Sequence, residues 1–72
     1  MKTFFLIVLD VGDRRFYHTG GSFTAFPAWA FMYQSRHFAQ LSLDVEYHRR
    51  PRPMKILEFW FDSAQGRARL VG

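Results

Sequence analysis

The 72-residue chain carries ten Lys and Arg against six Asp and Glu, a net charge of +4, and eight of the ten bases are Arg. At this length residues 1–72 form one domain, near the lower limit for a core that sustains itself. With 49% hydrophobic residues the chain is far from disordered composition, and the absence of cysteine excludes disulfides, a thiolate nucleophile and a zinc ribbon.

Thr3 to Val11 (TFFLIVLDV) holds six consecutive apolar residues without Gly or Pro. The run is rich in β-branched and aromatic side chains and too short for an interior helix, so a strand is predicted. Alternation puts Phe4, Leu6 and Val8 on one face and Phe5, Ile7 and Leu9 on the other, so this strand needs cover on both sides. Lys2 ahead of the run has the look of a signal peptide, but Asp10 interrupts early and no small-x-small cleavage site follows. A strand of the mature protein is the better reading. No segment approaches the length of a bilayer span, and the expected compartment is the cytoplasm.

Gly12-Asp13 predicts a two-residue hairpin turn. Arg14 to His18 then returns as a short second strand, with Phe16 on one face and Arg15 and Tyr17 on the other. Thr19 to Ser22 (TGGS) reads as a turn, because a phosphate-binding loop would open directly into a helix and Phe-Thr-Ala-Phe-Pro follows instead. Phe23 to Tyr33 is expected to be extended or strand-like, since Pro27 disfavours helix at Phe26; the alternative for Ala28 to Tyr33 is the first turns of a helix begun at Pro27.

Ser35 reads as a helix N-cap. Beyond it Phe38, Leu41, Val45 and His48 fall on one stripe at helical spacing, while Asp44 and Glu46 are expected to point away as solvated charges. Arg49 and Arg50 lie in the last turn, where positive charge suits the helix dipole, and Pro51 and Pro53 stop the helix. Met54 to Phe61 is a second strong strand. Met54, Ile56, Glu58 and Trp60 share one face, and Lys55, Leu57, Phe59 and Phe61 the other. Residues 62–66 form a hairpin loop, and Arg67 to Val71 is an edge strand whose arginines oppose aggregation.

The expected fold class is α+β: a small antiparallel-rich sheet of four to five strands with one helix packed on one face, in the order β-β-(β)-α-β-β. One helix shields one face of such a sheet and not two. The second face therefore calls for the aromatic 23–33 segment, a second copy of the chain in a homodimer, or a foreign partner.

Little here points to catalysis. His18, His37 and His48 are dispersed, with no close His pair and no cysteine to complete a metal site. No Gly-x-Ser-x-Gly, paired carboxylates in an apolar setting or acidic metal triad is present, and so short a chain has little volume to wall off a pocket. The chain is read as non-enzymatic and without a cofactor. Its pointed polar feature is His48 to Pro53 (HRRPRP), a basic knuckle stiffened by two prolines. Arg49, Arg50 and Arg52 are its candidate contacts to phosphates or to an acidic protein surface. Arg14 and Arg15, with Arg67 and Arg69, extend that patch if the two hairpins lie side by side. Trp29, Phe31 and Tyr33 are candidate interface aromatics, because so many rings are hard to bury in so small a core.

The layout of strand, tight hairpin, aromatic loop, Ser-capped helix and closing strand resembles small phage and prophage accessory proteins. Phe16-Tyr17 before Thr19-Gly20-Gly21, and Ser35-Arg36 opening the helix, carry the likeness over about two-thirds of the chain. Several classes of these proteins, anti-CRISPR proteins among them, are tiny, single-domain and catalytically silent, and occupy a surface of a host complex. DNA-imitating members are strongly acidic, whereas this chain is basic. The resemblance implies an inhibitor or modulator of a host protein complex. The alternative from the residues themselves is a small basic nucleic-acid-binding module.

Overall fold

The computed structural model describes residues 2–71. In chain order these form β1 (Lys2–Val11), β2 (Arg14–His18), β3 (Phe23–Thr24), a 3-10 turn (Pro27–Trp29), α1 (Arg36–Arg49), β4 (Met54–Asp62) and β5 (Arg67–Leu70). The strands make one sheet in the order β3-β2-β1-β4-β5, every neighbouring pair antiparallel. The fold is therefore the small α+β domain expected from the residue pattern.

β1 takes the centre because it is the longest uninterrupted apolar run. Its Lys2–Leu9 portion pairs with β4, and Val8–Val11 pairs with β2. Where β2 has ended, Tyr33 completes the same edge of β1. Its carbonyl accepts from the Phe5 amide at 2.7 Å and its amide donates to the Phe5 carbonyl at 2.9 Å. The hairpin between β1 and β2 turns through Gly12, whose φ of 62° suits the first position of a two-residue turn that an L side chain would strain. The 23–33 stretch is less extended than its pattern suggests. β3 is two residues long, and Pro27, with its φ preset, then starts the 3-10 turn before the chain straightens into Tyr33.

The core has two halves, one on each face of β1. On the helix side Phe5, Ile7, Tyr33 and Ala39 are buried, with Leu43, Met54 and Ile56 against them. On the other side Leu6, Val8, Leu57 and Ala30 are buried, with Phe4, Tyr17 and Phe59 at the margin. The rings of Phe4 and Phe59 stack there at 5.4 Å. Ala30, just after the 3-10 turn, is thus the contribution of the aromatic segment to covering the second face. The middle of that face is closed by the chain's own residues.

Two expectations for the helix are corrected. The stripe of Phe38, Leu41 and Val45 does not face the sheet: these residues are 63%, 49% and 63% exposed. Glu46 is not a solvated charge but is 3% exposed, beneath the helix. The reason is steric and polar together. Tyr33 and Phe5 already fill the space between sheet and helix, so the helix approaches with Ala39 and Ser42. The Tyr33 hydroxyl lies 2.6 Å from Ser42 Oγ. One turn beyond, Glu46 is drawn inward by partners that only tertiary structure brings to it.

A candidate protein-docking groove

The orientation of α1 creates the site, and a buried ionic network holds that orientation. His18, at the end of β2, is 1% exposed and its Nε2 lies 3.1 Å from Glu46 Oε1. The other carboxylate oxygen accepts from Arg50 Nε at 3.0 Å, and the same guanidinium donates to the Gly21 carbonyl at 3.2 Å. Helix, second strand and the turn after it are joined through one carboxylate. Burial pushes the Glu46 carboxyl up, but the hydrogen bond with His18 and the Arg50 charge outweigh it and leave the group below its ordinary range. His18 Nδ1 is buried without a partner among the described residues.

The helix begins at Ser35, whose Oγ accepts from the Phe38 amide at 3.2 Å, and no acidic residue occupies its first turn. It ends with His48 and Arg49 in the last turn, before Arg50 and the prolines. At 100° per residue, Ala39, Leu43 and Glu46 inward place Phe38, Leu41 and Val45 outward. Beside this stripe runs the extended 31–35 segment, with Phe31 and Met32 exposed. Segment and helix bound a shallow groove whose helix wall is Phe38, Leu41, Ser42 and Val45. This apolar surface, continuous over two elements of a small protein, is a candidate interaction surface.

The residues singled out from the sequence are dispersed around this groove. Phe31 lines it. Tyr33 is buried at its floor, with its ring 4.6 Å from that of Phe31. Trp29 is exposed beside Phe26, ring centres 5.1 Å apart. Arg49 and Arg52 are exposed, whereas Arg50 serves the internal network. Arg14 is exposed next to the first hairpin turn. Arg15 is held by Asp10, Nε to Oδ1 at 2.7 Å, and Lys55 Nζ reaches the same carboxylate at 3.0 Å. These two contacts, Arg15 foremost, lower Asp10 to about 2.

The larger arginine patch does not assemble. Pairing of Leu9 with Met54 and of Lys2 with Phe61 puts the two hairpin turns at opposite ends of the sheet. Arg14 and Arg15 are thereby separated from Arg67 and Arg69 by most of the length of β1, roughly 25 Å at a strand's rise. Among the described residues no group of three or more His, Asp or Glu is placed to hold a metal ion. No helix among them is long and apolar enough to cross a membrane.

No family model matches the chain, and no curated protein and no solved structure is found similar to it.

Met32, Phe38, Leu41 and Val45 were not legible as surface residues. An apolar stripe reports a face, not the direction it points. The inward face could be sought at Ala39 and Glu46, seven residues apart on one side of the helix, but nothing local links Glu46 to His18.

Proposed function

We propose that the chain is a non-catalytic binding protein that seats a protein partner in the groove between α1 and the 31–35 segment. The observation that carries this reading is the outward apolar stripe of Phe38, Leu41 and Val45, continuous with Phe31 and Met32. Leaving such a stripe in water forgoes burial that its own sheet could have supplied, and a partner recovers it. Combined with the likeness to small phage and prophage accessory proteins, the reading extends to a subunit of a host complex, for example a CRISPR-Cas defence complex, which docking would inhibit or modulate.

The test is a photo-crosslinking amino acid placed at Leu41 in cells that make the protein. A discrete protein adduct is expected from position 41 and none from Arg67, at the far sheet edge. The adduct should disappear in a Val45→Glu background whose thermal stability stays within about 0.5 kcal/mol of the parent, as for an exposed site. No adduct from position 41, or equal adducts from both positions, would remove the groove as the docking site. Adducts with nucleic acid would favour the basic-module reading.

A further inference from the structure

We infer that the occupant of the groove is an acidic amphipathic helix of another protein, an inference that rests on the groove being the docking site. The groove is shallow and apolar along the helix from Ser35 to Val45, ten residues of rise or roughly 15 Å, which is the span of about three helical turns. A shallow apolar strip of this length suits a helix whose apolar side chains recur at i, i+3, i+4 and i+7.

Charge decides which helix. On the wheel Arg49 lies between Val45 and Ser42, and His48 lies beside Leu41, so the C-terminal end of the groove is basic. Arg52 is exposed just beyond it. At the other end His37 flanks Leu41, and the first turn of α1 holds no acid and adds the positive pole of the helix, whereas Arg36 turns the other way, over the Phe5 ring on the sheet side. Asp44 is the acid on the outer flank, and Gln40 Nε2 already donates to it at 2.9 Å. Glu46 is consumed inside and Glu58 lies 3.4 Å from Arg36.

A second copy of this chain fits poorly. Antiparallel helices would set His48 and Arg49 against the positive pole beside His37, parallel ones would set basic end on basic end, and each chain carries +4. An anionic bilayer shares the charge preference but favours a helix rich in Lys and Arg on its polar face, and α1 carries only Arg36 and Arg49 against Asp44 and Glu46.

The experiment titrates the full chain into a fluorescein-labelled synthetic amphipathic helix of about 18 residues, with Leu on one face and Glu on its flanks. A peptide with the same leucines and Lys for Glu is the control. The Glu peptide should bind at least about tenfold more tightly than the Lys peptide at low salt, with the gap narrowing as salt rises. Val45→Asp should abolish binding of the Glu peptide, and Arg49→Glu should lower the preference for it by several-fold.

Equal binding of the two peptides, or none, overturns the inference. So does a concentration-dependent dimer in sedimentation that Val45→Asp dissociates, or retention on vesicles containing phosphatidylserine that the same substitution abolishes. A crosslink from position 41 together with failure of the Glu peptide would leave the docking site standing and reject only its acidic helical occupant.

Discussion

Replacing Glu46 with alanine is expected to lower the unfolding free energy by about 3 kcal/mol, the lower end of the range for breaking a buried charge pair. The lower end applies because Arg50, whose side chain is 45% exposed, can turn to water once its partner is gone. His18 cannot, and would be left with neither ring nitrogen satisfied. For a 72-residue chain, whose total stability is about 4–11 kcal/mol, this is a large fraction. Urea unfolding measures it as a fall in midpoint at unchanged slope.

A pH dependence accompanies the substitution. Glu46 sits below its ordinary 4.5 in the folded chain, so its contribution is present above that value and is lost as pH falls through the folded-state value. Asp10 behaves likewise between 3.8 and about 2. Wild-type stability should therefore decline progressively below about pH 4.5, and Glu46→Gln should flatten the upper part of that decline. A Glu46→Ala variant as stable as the parent, with the same acid limb, would show that the network does not hold the helix.

Truncating the central strand should have its own large effect on either face. Ile7 and Val8 are adjacent, both 0% exposed, and belong to the two opposite halves of the core. Ile7→Ala should cost about 3 kcal/mol, since three carbons are lost against Tyr33, Ala39 and Ile56 and the cavity collapses only in part. Val8→Ala, losing two carbons, should cost about 2 kcal/mol. The second number is the informative one. It requires that Ala30, Leu57 and Tyr17 close the far face within a single chain, whereas a face left open to solvent would make Val8→Ala nearly neutral.

Which parts of this fold were legible from sequence follows from how local their causes are. β1 and β4 show themselves as apolar runs without Gly or Pro, and the first hairpin as Gly12-Asp13 between two such segments. α1 is bounded by Ser35 and Pro51, residues that act within one turn of themselves. The rotation of α1 is not local. It depends on Tyr33 occupying the space beneath the helix and on His18, twenty-eight residues away, supplying a partner for Glu46. Periodicity therefore found the stripe of Phe38, Leu41 and Val45 and gave it the wrong side. The arginine patch failed similarly, because whether Arg14 and Arg67 are neighbours is settled by the register of β1 on β4. Tyr33 reads as a surface ring only until its backbone pairing with Phe5 is known.

The cysteine-free chain allows the direction of that stripe to be measured cleanly. Single thiols would be introduced as Val45→Cys and Ala39→Cys, on opposite sides of α1, and their reaction with a maleimide timed under native conditions. The thiol at position 45 is expected to react within a few-fold of its rate in urea. Cys at 39 should be slowed by roughly a hundredfold or more, reacting only when the helix opens. Rapid reaction at 39 with protection at 45 would mean that the apolar stripe faces the sheet, and the groove proposed as the docking site would not exist.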